Sequence, residues 1–287
     1  MTDKIIPRKR ELWEFFNENA GACDAGEMSP LETLSEADRQ VPEFFINALE
    51  GYRRVLDTGC GGGYPGLYVA PHVGELVGID AAPNMIEVAL KNAKSLGVTN
   101  ARVEVGGADG LPYAEDEFDG TMLCGLLESM DWESVHRMMP EVRRVLSPGG
   151  RIAALDQDWH DFLSRAPMRQ VSIRNEKGRL FLQVVERTLN PHTETDARYY
   201  AAPDSPTGGR LLSMMAGKTR ISTDGLTPGD LDPKDVMEAT YDVAAQFGEA
   251  TFADLFASHG FADVSCKSVL VPAWGQKILF LTAVSGT

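Results

Sequence analysis

Cysteine is scarce: Cys23, Cys60, Cys124 and Cys266 stand far apart, with no C-x-x-C pair. That excludes a disulfide framework and a thiolate-based structural zinc site, and it fits a reducing compartment. The histidines at 72, 136, 160, 192 and 259 lack ligand-like spacing, so no metal is expected. No apolar run approaches the roughly 18–20 residues of a membrane span. The N-terminal segment has basic residues, Lys4 and Arg8 to Arg10, but no apolar stretch behind them, so it does not read as a secretory signal. Neither a membrane nor export is expected, and the cytoplasm is the expected location. Basic charge is in deficit too, with 27 Lys and Arg against 42 Asp and Glu and a net charge of −15. Such a field repels a polyanion, and no nucleic-acid partner is expected. The dense basic spots, Arg8 to Arg10 and Arg143-Arg144, read as a solvated terminus and the polar face of a helix.

What is present is an alternation. The 287 residues suit one α/β domain with additions, or one domain with a small second one. Residues 1–50 read as a helical cap, with Leu12, Trp13, Phe15 and Phe16 in one segment and Val41 to Leu49 in the next. Strands are expected at 53–57, 75–80, 102–105, 118–124 and 151–156. Helices separate them: one opens at Pro83 and stops at Gly97, and another runs from Trp132 to Leu146 before Ser147-Pro148-Gly149-Gly150. This is the pattern of a parallel sheet covered on both faces. Residues 157–248 break it, with helical stretches around 176–189, 208–216 and 233–247, and form an expected helical insertion. Regularity returns over 249–287, with a helix at 251–259 and an antiparallel hairpin of strands at 262–271 and 277–284.

The sharpest local feature is Val55-Leu56-Asp57-Thr58-Gly59-Cys60-Gly61-Gly62-Gly63. A strand ends in a carboxylate, and glycines then let the backbone turn tightly and approach a ligand. A dinucleotide loop needs G-x-G-x-x-G, and Tyr64 stands where its third glycine or alanine belongs. The pattern present is D-x-G-x-G-x-G, and a carboxylate there suits an ammonium group and repels a pyrophosphate. Asp80 ends the second strand about 20 residues on, where an acid can accept from ribose hydroxyls. Gly78-Ile79-Asp80-Ala81-Ala82-Pro83-Asn84-Met85, Gly107-Ala108-Asp109-Gly110, Phe118-Asp119-Gly120 with Cys124-Gly125-Leu126-Leu127-Glu128, and Arg144 to Gly150 follow in order. Together these resemble the class I S-adenosylmethionine-dependent methyltransferases, especially their small-molecule branch.

The resemblance covers 53–156 well and 249–287 moderately. It implies a Rossmann-like sheet of seven mostly parallel strands with helices on both faces and an antiparallel last strand. The N-terminal helices and the helical insertion after strand five are added to that core. It implies S-adenosyl-L-methionine as cofactor, held by Asp57, Gly59, Cys60, Gly61, Asp80, Ala81, Met85, Ala108, Asp109, Gly110 and Cys124. In the family Met85 packs on the adenine and Asp109 accepts from its amino group. Activity follows as methyl transfer by in-line displacement to an O, N or C atom of a small metabolite, by a monomer or homodimer. Protein or RNA methylation, or a cofactor-binding regulator that transfers nothing, are the competing readings, with a nicotinamide-dependent dehydrogenase behind them.

The acceptor is expected outside the carboxyl ends of the strands. Glu128, Asp156 and Trp159 lie on loop tips there, and His160 is the candidate base, against a capping or solvent-exposed histidine. Tyr199, Tyr200 and Trp159 are candidate pocket walls, against core packing. Trp13 and Phe16 are candidates to close over the cofactor, against packing between helices.

Overall fold

Val55 and Leu56 are neighbours on one strand, yet both are fully buried and belong to opposite layers of the core. Successive side chains of a strand point to opposite faces, so a strand buried on both sides must sit inside a sheet covered on both faces. In the computed structural model, residues 12–18, 20, 28–130, 132–161, 169–176, 179–186, 197–201, 220–221, 236–240 and 247–286 are described.

The parallel strands are β1 (Arg54–Thr58), β2 (Glu75–Asp80), β3 (Ala101–Val105) at the edge, β4 (Phe118–Cys124) and β5 (Leu146–Gln157). Two late strands complete the sheet, β11 (Phe261–Val271) and β12 (Gln276–Ser285), in the order β11-β12-β5-β4-β1-β2-β3. β12 runs antiparallel to β5 and β11, which is the expected hairpin. Strand β5 starts earlier than expected: Ser147-Pro148-Gly149-Gly150 is absorbed into it, with a register shift against β4 between Phe118 and Gly120.

Helices close both faces. On one side lie α2 (Glu36–Leu49), the single turn α3 (Gly66–Val69) and α4 (Pro83–Leu96). Val41, Phe45, Ile46 and Leu49 of α2 pack on Val55, Met122, Leu155 and Phe280. On the other side, α5 (Trp132–Val145) and α6 (Glu249–Ser258) bury Val135, Met138, Met139, Phe252 and Phe256 against Leu56, Leu123, Ile152 and Leu279. Local chemistry marks the boundaries. Ser35 caps α2 by accepting from the Asp38 amide at 3.2 Å, and Pro83 opens α4. Gly97 ends α4 at φ 69°, a conformation that costs glycine nothing. The start of β1 is held to β4 by Asp119, whose two carboxylate oxygens accept from the Arg53 and Arg54 amides at 3.0 and 2.7 Å.

The expectation for 157–248 needs correction. From 169 to 240 its described residues form strands, not helices: β6 (Arg169–Glu176), β7 (Arg179–Glu186), β8 (Ala197–Ala201), β9 (Arg220–Ile221) and β10 (Val236–Thr240). They make an antiparallel sheet of order β10-β8-β7-β6-β9. The expected helices at 176–189 and 233–247 fall partly on β7 and β10, while 208–216 lies outside the described residues. Leu180, Leu182, Val184 and Val185 in β7 suit either period over so short a run, and pairing with β6 decides it. Before the sheet, α1 (Leu12–Glu18) packs beside α4. Among the described residues no helix is long and apolar enough to cross a membrane.

Helix α2 is thus part of the core. Phe45 is fully buried, and Phe45→Ala is expected to lower stability by about 3–5 kcal/mol. Denaturant unfolding checks this; a loss below about 1 kcal/mol would mean that the helix is a detachable cap.

Candidate active site

The parallel strands deliver their polar endings to one edge. At the end of β1 the chain turns through Gly59 at φ 72° and Gly61 at φ 50°. The Gly59 and Cys60 amides donate to the Ile79 carbonyl at 2.8 and 3.0 Å, tying the loop to β2. A Cβ on Gly59 would stand 2.7 Å from Leu126 Cδ1, a side-chain end that could swing aside, so it is the positive φ that calls for glycine. The helix that follows, α3, is only one turn long. Most of what the loop offers a ligand is therefore its own backbone, not a helix terminus.

Asp57 is 1% exposed, and neither carboxylate oxygen has a hydrogen-bond partner among the described residues. Burial first, and then the negative charge of Asp80, push its pKa from 3.8 up to about 8. Gly66 presses against it, since a Cβ there would overlap the Asp57 carboxylate. Asp80 is better supplied: Oδ2 accepts from the Gly61 amide at 3.0 Å and Oδ1 from Ala82 at 2.8 Å. Burial raises its pKa, and these two bonds pull it back down. Each oxygen keeps a lone pair for a further donor.

Met85 lies on the same floor. Its Cε is 3.4 Å from where a Gly61 Cβ would stand, and it clusters with Ala82 and Ala20, with Phe16 against them. Helix α1 is held there by Asn17, whose Oδ1 accepts from the Asn84 amide at 2.8 Å and whose carbonyl accepts from Asn84 Nδ2 at 2.7 Å. Phe16 therefore reaches the floor, whereas Trp13 is exposed. Asp109 is also exposed and is paired with Arg137 of α5 at 3.3 Å. Ala108 packs on the core, and Gly110 has open space around its Cα.

At the ends of β4 and β5 three expected residues meet. Glu128 Oε2 accepts from Trp159 Nε1 at 3.2 Å. Asp156 Oδ2 accepts from the Glu128 amide, and its Oδ1 from the Gln157 amide, each at 3.3 Å. Asp156 is buried, and burial followed by the Glu128 charge raises its pKa well above the carboxylate range. Trp159 is fully buried within the core, so only its indole N–H takes part. Cys124 is half-buried; burial and then the charges of Asp57, Asp156 and Glu128 push its thiol up.

His160 is placed apart from this group. It is exposed, its amide donates to the Phe247 carbonyl at 3.0 Å, and its ring lies against Gly248 at the start of α6. Tyr199 and Tyr200 fall on β8, and their side chains lie outside the described residues. Sequence reasoning missed Gln157, which ends β5 with a buried amide, and Leu126, which seats Gly59. Gln157 carried a signal, being a polar residue just beyond an apolar strand.

Residues 55–150 match a family model described as a methyltransferase domain. An uncharacterized methyltransferase, YcgJ, of Bacillus subtilis is 38% identical over 103 residues, 36% of this chain and 40% of that protein. The chain spans about half the length of the curated relatives it matches. Among solved structures, an S-adenosylmethionine-dependent methyltransferase from Clostridium acetobutylicum aligns over 87% of this chain and 96% of its own, with TM-score 0.56 and 12% identity. A 1,6-didemethyltoxoflavin N1-methyltransferase of Burkholderia thailandensis, with bound 1,6-didemethyltoxoflavin and S-adenosylhomocysteine, aligns over 96% of this chain and 88% of its own. Its TM-score is 0.52 and its identity 16%. The seven-stranded sheet has the Rossmann-like fold seen in S-adenosylmethionine-dependent methyltransferases, and residues 55–150 match the methyltransferase domain family.

The buried Asp57 gives a pH signature. An acid whose pKa is raised on folding keeps its proton in the folded chain after the unfolded chain has lost it. Its contribution to stability is complete below about pH 4, is lost as pH rises toward 8, and is flat above. Without ligand, the fall in Tm between pH 5 and pH 8 should be smaller in Asp57→Asn than in the parent. Scanning calorimetry at the two pH values checks this, and equal falls would mean that Asp57 is ionised throughout.

Proposed function

We propose that the chain transfers the methyl group of S-adenosylmethionine to an oxygen, nitrogen or carbon atom of a small metabolite. The observation that carries this reading is the orphaned Asp57 carboxylate beside a glycine cradle. A buried acid without a partner costs stability unless a ligand supplies one, and an α-ammonium group is a fitting counter-charge. The rest of the edge fits the same cofactor. Asp80 has lone pairs for a ribose diol, and Met85 offers an apolar floor for an adenine. Gly59 and Gly61 admit a ligand where a Cβ would intrude. A small-molecule acceptor is what the Burkholderia neighbour's name describes, and the net charge of −15 disfavours RNA.

Bound there, S-adenosylmethionine supplies a methyl group already activated by its positive sulfur. The protein's tasks are then alignment and exclusion of water. Leu126 and Met85 close the loop from two sides, and Phe16 packs beside Met85. Cys124 stays a protonated thiol between Asp57 and the Glu128–Asp156 pair, so it does not compete for the methyl group. Where the acceptor must lose a proton, the half-buried Glu128 is better placed to take it than His160. Its carboxylate is oriented by the Trp159 indole at the strand tips, whereas the His160 ring lies against α6.

Calorimetric titration tests the reading. S-adenosylmethionine and S-adenosylhomocysteine should bind saturably and NADH should not; failure of both sulfur compounds would refute it. Near pH 7 the bare Asp57 is largely protonated and its ammonium partner would favour the anion. Titration of S-adenosylhomocysteine in buffers of different ionisation enthalpy should therefore show net proton release. Asp80→Ala should weaken binding about 10- to 100-fold, the equivalent of about 1.5–3 kcal/mol for charge-assisted bonds.

A further inference from the structure

Beyond Asp57 and the neighbouring Thr58, a further buried polar group at this edge lacks a partner among the described residues. Gln157, the last residue of β5, is 8% exposed, and its Nε2 donates to no described residue. Burying an amide N–H without a hydrogen bond is costly, and native chains keep such a group where something outside the fold completes it.

Its position follows from strand register. Asp57 pairs with Met122, Met122 with Ala153, and Cys124 with Leu155. Side chains alternate between faces, so Asp57, Cys124, Leu155 and Gln157 share the face covered by α2. Gln157 stands four residues above the level of Asp57 and two strands away. At about 3.3 Å per residue and 4.8 Å per strand, the two are roughly 16 Å apart. No single amino-acid head group reaches both. The ligand of Gln157 is therefore a different group from the ligand of Asp57, and it lies farther out, beyond the end of β4.

An amide N–H calls for an oxygen acceptor. The surroundings narrow the class further. Asp156 precedes Gln157 and is hydrogen-bonded to Glu128. Asp158 follows and accepts from the Ser268 hydroxyl. The nearby ammonium of Lys277 is already paired with Asp161 at 3.1 Å. By the same alternation Asp156 and Asp158 turn to the opposite face, and Gln157 shares its own face with the apolar Leu155, Ile278 and Phe280. Apolar surroundings disfavour a carboxylate or phosphate, which leaves a neutral oxygen.

We propose that Gln157 is a specificity-determining contact for the methyl acceptor, its Nε2 donating to a neutral carbonyl or hydroxyl oxygen. This rests on the methyl-transfer reading above. The amide then rejects acceptors that lack that oxygen, because they leave it buried and unpaired.

Gln157→Met keeps the length and removes the orphan. In the ligand-free protein it should raise Tm by roughly 3–8 °C. Transfer is followed as S-adenosylhomocysteine release, with catechol, 4-hydroxybenzaldehyde and 2-quinolone as oxygen-bearing probes and benzylamine and imidazole as probes without that oxygen. In the parent at least one oxygen-bearing probe should be methylated. In Gln157→Met its kcat/KM should fall at least 10-fold, mostly through KM, with unchanged affinity for S-adenosylhomocysteine. Gln157→Leu, shorter and without a donor, should lose the same probe and serves if the methionine variant folds poorly. An unchanged or lowered Tm in a folded methionine variant would overturn the proposal. So would transfer to benzylamine or imidazole alone, no transfer to any oxygen-bearing probe, or equal turnover by parent and variants. A parent that fails to bind S-adenosylhomocysteine refutes the methyl-transfer reading itself, which is a separate result.

Discussion

A sheet buried on both faces has few places to keep a polar side chain, and that constraint shapes the molecule. Val55, Leu56, Met122, Leu123, Ala153 and Ala154 leave no room for charge in the middle of β1, β4 and β5. Parallel strands all end on the same side, so residues that cannot be buried in the middle collect at one edge. Asp57, Asp80, Cys124, Asp156 and Gln157 are the last or nearly last residues of their strands. The chemistry gathers there because the core excludes it everywhere else.

Concentration of acids at that edge has an electrostatic consequence. Each carboxylate raises the cost of ionising its neighbours. Asp57 and Asp156 are pushed up and the Cys124 thiol is kept protonated, each mainly by burial and then by adjacent negative charge. Such an edge is poised for a cation, and a sulfonium carrying an ammonium group is one. In the proposed reading, stability is given up at Asp57 and Gln157 so that ligands can supply the missing partners.

Much of the core was legible residue by residue. Pro83 and Gly97 bracketed α4 because proline suits a helix start and glycine a left-handed stop. The hairpin of β11 and β12 followed from a short turn between two apolar runs. The loop from Asp57 to Gly63 was readable because only glycine permits its turns. Side-chain direction was not legible. His160 and Glu128 looked equally close to the acceptor region, yet His160 turns to Gly248 while Glu128 turns inward to Trp159. That choice depends on α6, which arrives nearly ninety residues later. The insertion was misread for a related reason: β6 and β7 are strands because they pair with each other, and a short apolar run does not carry its partner in its own pattern.

The amino-acid sequence by itself determined the alternation of strands and helices, the placement of Asp57 and Asp80 at strand ends, and the glycines that expose the loop. These are consequences of local periodicity and backbone freedom, which act over a few residues. The tertiary structure alone decided which polar groups are left without partners. Whether Asp57 or Gln157 is satisfied depends on every element packed around it, and no short stretch of chain contains that information.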